Sequence, residues 1–519
     1  MLRVGVDVGG TNTDSVVMAG RDLRGWAKAP TSADVTQGIV GSLREALAAS
    51  GAAPAEVGVV MIGTTHFTNA IVERRGLART AVVRLGLPAT ASVEPFDDWP
   101  DDLRAAVDAR GYLAHGGYEF DGRTISELDV EELAGIGRDL ARRGTRGVGV
   151  CGVFSPIRAD HEQHAAAILA EHAPGVRVSL SQEIGRLGLL ERENATALNA
   201  CLSDLADHTV GAMEQAVREL GLDAPVYLSQ NDGTLMSADF VRRYPVLTFA
   251  SGPTNSMRGA AYLTGLQDAL VIDIGGTTSD IGMLTAGFPR EAGVAVPIGG
   301  VRTNFRMPDL LTLGLGGGSR VRLDSLRVGP DSVGFRLTEQ GLVFGGSTFT
   351  ATDAAVAAGR ATLGDPRQLT AEARAHAPAV MQRIQQQLAE AIDQVKTSSA
   401  PVPVILVGGG SILVGDDLPG ASEVIRPPDY QVANAIGAAI AQVSGEVDHV
   451  RASDDGATRA SLLEEARREA TARAVEAGAL AESVALVEAE DVPLAYLPGG
   501  ATRVRVKVVG DLRLAHVGS

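Results

Sequence analysis

VGVDVGGTNTDSVVM at residues 4–18 and LVIDIGGTTSDIGML at residues 270–284 write one pattern twice. Each is an apolar run, then D-x-G-G-T-x-x-D, then a second apolar run. Short apolar runs on either side of a Gly-Gly turn predict a β-hairpin in both places. The residue types suit a phosphate site. Asp7 and Asp273 each close a first strand, where a carboxylate can hold Mg2+, a hard cation that takes oxygen ligands and keeps part of its water shell. Gly9 and Gly10, like Gly275 and Gly276, let backbone N–H groups face phosphate oxygens with no Cβ in the way. Thr11 and Asn12, and Thr277 and Thr278, add polar side chains. Gly-containing turns are common in hairpins, so one copy would say little. Two copies in matching contexts, one per half of the chain, read as a duplicated phosphate site.

A third element, PVPVILVGGGS at 401–411, reads as a buried strand ending in Gly408, Gly409, Gly410 and Ser411. A flat ligand can lie on such backbone, and a plain strand-to-helix turn has the same pattern. Working outward, helix periodicity places Ile39, Leu43, Ala46 and Leu47 on one face of 35–49. Strands are expected at Val57 to Ile62, Thr80 to Leu85 and Gly147 to Phe154, with helices at 129–143 and 161–172, the latter capped by Asp160. Residues 86–125 read as an insertion or lid, and 188–220 as long helices joining two halves. The βα alternation implies α/β lobes. The expected domains are 1–187, 188–445 and a small α+β unit, 446–519. In that last unit RVRVKVVG alternates Arg/Lys with Val, which predicts a strand with a solvated basic face.

The chain has 519 residues, 45% hydrophobic and 21% charged, a length that suggests several domains. Its net charge of −17 argues against nucleic acid as a partner. It leaves room for a nucleotide, whose site draws positive field from N–H groups and a metal ion. Mean hydropathy is +0.10 and no apolar run approaches the roughly eighteen residues of a membrane span. The opening MLRVGVDVGG does not read as a secretory leader, so a cytoplasmic protein without membrane association is expected. Cys151 and Cys201 lie in no CxxC and read as small core residues.

Two phosphate hairpins in separate halves, with a late apolar strand ending in GGG, resemble the actin, hexokinase and heat-shock ATPase superfamily. The resemblance implies an α/β fold of two ribonuclease-H-like lobes with a small C-terminal α+β appendage. ATP would sit between the lobes, gripped by Gly9–Thr11 and Gly275–Thr278, with adenosine near Gly408–Ser411. ANAIGAAIAQ at 433–442 resembles the small-residue helix packed where the lobes cross, a structural role.

Further segments are similar to the A-type subunit of the hydantoinase and 5-oxoprolinase family. They include IGTTHFTNAIVERRG at 62–76, SPIRADHE at 155–162, VYLSQNDGTLMSADFVRRYPVLTFASGP at 226–253, LTLGLGGGSRV at 311–321 and FTATDAAVAAGRATLGD at 349–365. Departures from the family pattern are Asn12 in place of an aromatic, TNSMR at 254–258 and VRTNFR at 301–306.

The family implies ATP-dependent opening of a cyclic amide or imide through phosphorylation of the carbonyl oxygen. On that resemblance Asp7 and Asp273 hold Mg2+, and Asp14 and Asp280 brace the hairpins or polarise a nucleophile. Thr64, Thr65 and Asn69 either touch substrate or γ-phosphate, or cap a helix. Ser251 and Gly252 line the cleft, and Gly317 and Gly318 form a substrate-side loop or a plain turn. Asn231 and Asp232 read as an Asn-Asp-Gly turn, and His66 and His161 as structural. A separate B-type subunit and a homo-oligomer are the expected partners. Open alternatives are a component of an ATP-dependent ketone carboxylase and a nucleotide-gated assembly protein without turnover of small molecules; a small-molecule kinase fits less well.

Overall fold

The computed structural model describes residues 1–10, 12–30, 35–293, 296–304, 306–451, 458–494 and 502–514. Both D-x-G-G hairpins form: Leu2–Val8 pairs antiparallel with Asn12–Ala19, and Ala269–Ile274 with Ser279–Thr285. Each joins a sheet of its own, the first hairpin toward one end and the second at the centre. The first sheet has nine strands, in the order Ala485–Pro493, Thr502–Gly510, Gln442–Arg451, Thr234–Ser237, Val226–Ser229, Val57–Thr64, Leu2–Val8, Asn12–Ala19, Asp22–Pro30. In the second, Ala269–Ile274 lies between Ser279–Thr285 and the parallel strand Val402–Val407, followed by Ala421–Ile425. Helix Val35–Ser50 buries Ile39, Leu43 and Ala46 against the first sheet, the face its periodicity predicts. Helix Ala371–Val395 covers the second with Val380, Ile384 and Leu388.

A separate parallel sheet runs Arg110–His115, Thr80–Leu87, Gly147–Gly152, Arg177–Leu180. The 86–125 region is therefore not simply a lid, because its strand Arg110–His115 is an edge of this sheet. The helix after it starts at Asp160 itself, with Ala159 in the cap position and no side-chain cap bond, so Asp160 is not the cap.

The sheets also redraw the lobes. Sequence places a boundary at 188, yet Val226–Ser229 and Thr234–Ser237 join the first sheet, and the first strand of the second sheet is Ala269–Ile274. The C-terminal strands extend that same sheet rather than forming one of their own. Periodicity sets which face a strand buries but not which sheet it enters, since long-range pairing leaves no local signature.

The basic strand is corrected too. Its alternation holds, with Val504, Val506 and Val508 packed on helix Arg459–Glu476. The other face is not solvated: Lys507 is 4% exposed and Arg505 9%. Carboxylates from distant segments meet it: Lys507 Nζ lies 2.7 Å from Asp232, and Arg505 Nη2 lies 2.7 Å from Glu291 and 2.8 Å from Glu488.

Helices Ser251–Thr264 and Ala433–Ala439 cross where the two halves meet, and glycine makes the crossing possible. A Cβ at Gly259 would stand 1.9 Å from the Ala433 carbonyl oxygen, and one at Gly437 1.9 Å from that of Asn255. The first helix packs on Ala269–Ile274 of the second sheet through Met257, Ala260 and Ala261. The second packs on Asn12–Ala19 of the first sheet through Ala435, Ile436 and Ala439.

Candidate functional site

The two hairpins have the same register. Asp7 stands opposite Asp14 and Asp273 opposite Asp280. The turns close alike, Gly9 N donating to Asn12 O at 3.0 Å and Gly275 N to Thr278 O at 2.9 Å. Each first strand also has a parallel neighbour with a glycine beside the acid, Gly63 one residue before the end of Val57–Thr64 and Gly408 just past Val402–Val407. A Cβ at Gly63 would lie 2.5 Å from Asp7 Oδ1, and one at Gly408 2.3 Å from Asp273 Oδ1. A strand end offers that approach only where no side chain intervenes.

Asp7 and Asp14 are buried, Asp273 and Asp280 half-buried, and the carboxylates feel one another. Asp7 is 5% exposed, and its pKa is pushed up to about 7, by burial first and then by the charges of Asp14 and Asp273. Burial likewise raises Asp273, against the Ser256 hydroxyl and the charge of Lys28, and lifts Asp280 to about 6 against a bond from Thr312. Asn434 Nδ2 donates to Asp7 Oδ2 at 3.0 Å and to Asp14 Oδ2 at 2.9 Å. Lys28 Nζ lies 2.6 Å from Asp14 Oδ1. Ser256 donates to Asp273 at 2.5 Å and Thr312 to Asp280 at 2.6 Å. Asp7 Oδ1 and both polar atoms of the Asn255 amide are buried without a well-formed hydrogen bond among the described residues.

This donor set fits a divalent cation. It has more buried negative charge than the single amine beside it offsets, and an orphaned carboxylate oxygen. Among the described residues no three His, Cys, Asp or Glu side chains converge as a ready-made metal cage. That suits Mg2+, which is commonly held by one or two carboxylates together with phosphate and water.

The remaining candidates fall into groups around these acids. Thr64 is buried, with its Oγ1 accepting from His66 N at 3.1 Å, and Ser251 donates to Thr64 O at 3.0 Å. A Cβ on Gly252 would stand 3.3 Å from the Thr65 methyl and 4.0 Å from Asp7 Oδ1, so this group edges the first hairpin. Asn69 lies a turn further on, exposed, its Nδ2 3.4 Å from Thr65 Oγ1. Gly317 N and Gly318 N donate to Gly275 O and Gly276 O at 3.0 and 2.7 Å, which places them behind the second hairpin. Gly410 packs against Ile274 and Gly275, Gly409 is exposed, and Ser411 donates back to Val407 O and Gly408 O. Gly10 and Thr277 are exposed, while Gly9, Asn12, Gly276 and Thr278 are half-buried. Thr11 lies outside the described residues.

Sequence reasoning missed Asn434, Asn255, Ser256, Lys28 and Thr312. Two signals were present. Asn434 is the one polar residue in ANAIGAA, and Asn255 and Ser256 fall in TNSMR, where the chain departs from its family's small-residue run. The helix of 433–439 therefore does more than pack.

Residues 3–173 match the hydantoinase/oxoprolinase N-terminal region and residues 192–370 match hydantoinase/oxoprolinase. The chain is 26% identical over 395 residues to the acetophenone carboxylase gamma subunit of Aromatoleum aromaticum, across 69% of this chain and 53% of that protein. It thus spans about half the length of the curated relative it matches. An ATP-dependent caprolactamase from Pseudomonas jessenii superposes with a TM-score of 0.79 at 19% identity, covering 98% of this chain and 88% of that one. Nucleotide-free acetone carboxylase superposes with a TM-score of 0.71 at 19% identity, covering 99% and 88%. At these identities the superpositions establish the fold, a two-lobed actin/hexokinase-like ATPase architecture. With both of its characteristic regions matched in order along 3–370, the chain belongs to the hydantoinase/oxoprolinase family.

Proposed function

We propose that the chain is an ATP-dependent enzyme that activates a carbonyl oxygen by phosphorylation and so opens a cyclic amide or imide. The observation that carries this is the duplicated hairpin pair, with Asp7, Asp14, Asp273 and Asp280 in one shared electrostatic field. An amide resists attack because nitrogen donates into its carbonyl. Transfer of the γ-phosphoryl group to the carbonyl oxygen, with ADP leaving, ends that donation. Water then adds to the carbon, the C–N bond breaks as nitrogen takes a proton to leave an acyl phosphate, and a second water hydrolyses that anhydride to the ring-opened acid and inorganic phosphate.

The protein's part is positioning and charge. With the N–H groups of Gly9 and Gly275 closing the turns, those of Gly10 and Gly276 face the phosphates, and Gly408–Ser411 flank the nucleoside. Asp7 and Asp273 hold Mg2+, which neutralises phosphate charge when bound. Asp280, with a pKa near 6, can hold or release a proton near neutral pH. Thr64, Thr65, Ser251 and Gly252, beside Asp7, face the acceptor. The cytoplasm is the matching compartment, and among the described residues no helix is long and apolar enough to cross a membrane.

A second reading, a subunit of an ATP-dependent ketone carboxylase, is favoured by the similarity to the acetophenone carboxylase gamma subunit. The two share the phosphorylation and differ in what attacks next. The relative is itself one subunit of its enzyme, and a separate B-type partner belongs to either reading. The test is Mg-ATP hydrolysis by the purified chain against hydantoins, lactams and 5-oxoproline, with and without bicarbonate. Stimulation by a cyclic amide with ring-opened product is expected. Turnover that requires a ketone and bicarbonate would replace the first reading with the second, and ATP binding with silence across both panels would overturn both for the isolated chain.

A further inference from the structure

A cavity of about 830 Å³ opens away from both hairpins, with none of their residues in its wall. Segment 182–187, the Asn231-Asp232 turn, strand Gln442–Arg451 and the end of helix Arg459–Glu476 enclose it. Its volume is that of a small-molecule site. One side is apolar, formed by Leu187, Met236, Leu247 and Phe240, and Phe240 is 44% exposed, unusual for a large aromatic. The other side is charged, and its charges can be matched pair by pair.

Asp232 has Lys507 at 2.7 Å, Glu446 has Arg306 at 2.8 Å, and Glu183 has Arg243 at 2.7 Å. Asp448 accepts from Arg503 Nε at 2.7 Å, and Arg473 reaches Glu469 at 2.6 Å. Glu476 is exposed at the rim. Arg186 is the odd one. The carboxylates within reach of it, Glu291 and Asp448, stand 3.9 Å away and are engaged with other arginines. Its Nη2 is buried with no hydrogen-bond partner among the described residues. A buried guanidinium nitrogen left without an acceptor is costly. Burial pushes the Arg186 pKa below its usual value, and the adjacent Arg306 adds to the shift, so an acceptor placed on this guanidinium would relieve both.

We propose that this cavity binds a small organic carboxylate, its anionic end on the Arg186 guanidinium and its apolar part against Met236, Leu247 and Phe240. The planar guanidinium fork matches a carboxylate's two oxygens, which an ammonium would not. The site is independent of the hairpins and of the reaction assigned to them.

The test uses the full chain and two matched probe pairs, benzoate with benzamide and hexanoate with hexanamide. Thermal shift and titration calorimetry are run at millimolar concentration without nucleotide. Both carboxylates are expected to raise Tm and both amides to leave it unchanged. Arg186→Gln should weaken carboxylate binding at least about tenfold with the ligand-free Tm not lowered, since the side chain makes no close ion pair and its orphaned nitrogen is removed. Phe240→Ala should weaken hexanoate. If Arg186→Gln does not fold, Arg186→Lys takes its place, keeping the charge but losing the fork, with binding several-fold weaker. No shift with either carboxylate, equal shifts with acid and amide, or unchanged affinity in the Arg186 variant would overturn the proposal.

Discussion

Two buried clusters of charge treat the same residue type in opposite ways. In the cleft, Asp7 is pushed up to about 7 by burial and by two further aspartates. Behind the C-terminal strands, burial would raise Asp232 as well, yet Lys507 and the Thr234 donors pull it down to about 2. One cluster has its counter-ions built into the chain and the other mostly lacks them. A protein that buries carboxylates without partners is destabilised by their charge. The cleft is therefore the place where a cation from outside adds most, and the C-terminal network is where removing an internal one does most harm.

The largest effect expected from this contrast is on the paired side. Lys507→Met strands the Asp232 carboxylate and should cost about 3–5 kcal/mol of stability, seen as a lower denaturation midpoint. Adding Asp232→Asn to it should restore most of the loss. A single-variant loss below about 1 kcal/mol would mean the network does not hold the C-terminal strands to the sheet.

On the other side the sign reverses. Asp7→Asn removes a strained charge, so the ligand-free chain should become more stable at pH 8. Its Mg-ATP turnover should fall about 100-fold, and that of Asp273→Asn should fall similarly. Normal turnover in both variants would remove the acids from the metal site. A loss in only one would show that the duplicated hairpins divide their labour.

The pH dependence sharpens the same comparison. The folded pKa of Asp7 lies above its unfolded value, so folding takes up a proton between about pH 4 and 7. Stability from this group is fully present below pH 4 and is lost as pH rises through 7. The folded pKa of Asp232 lies below its unfolded value, so its contribution is present above pH 4 and lost as pH falls through 2. Wild type minus Asp7→Asn should therefore slope downward from pH 4 to 7, and wild type minus Asp232→Asn upward from pH 2 to 4, each by on the order of 1–3 kcal/mol. Chemical denaturation across pH reads both, and a flat Asp7 difference would refute the raised pKa.

Much of the cleft was legible in the sequence because its backbone is local. D-x-G-G-T puts an acid, a turn and a returning strand within eight residues, and both copies fold in one register. What was not legible came from far along the chain. Asn434 reaches Asp7 and Asp14 from more than 400 positions away, on a helix whose small residues announced packing. The basic strand showed the same limit: alternation correctly gave two faces, but the carboxylates that bury one of them sit at 232, 291 and 446. Period reveals a face, and only the assembled sheet reveals what lies against it.

The smallest effect tests the one amine among the cleft carboxylates. Lys28 is 31% exposed and lies 2.6 Å from Asp14, so the ion pair itself contributes little, about 0.5–1 kcal/mol after solvent screening. Its reach is wider than its pair, because its charge also opposes the upward shift of Asp273. Lys28→Met should leave stability nearly unchanged and move Asp273 further up. If ionised Asp273 is what turnover needs, the acid limb of the pH–rate profile should move to higher pH while the alkaline plateau falls only about threefold. A uniform drop with no movement of the acid limb would mean that Lys28 serves Asp14 alone, leaving the second hairpin to tune its own acid through burial and Ser256.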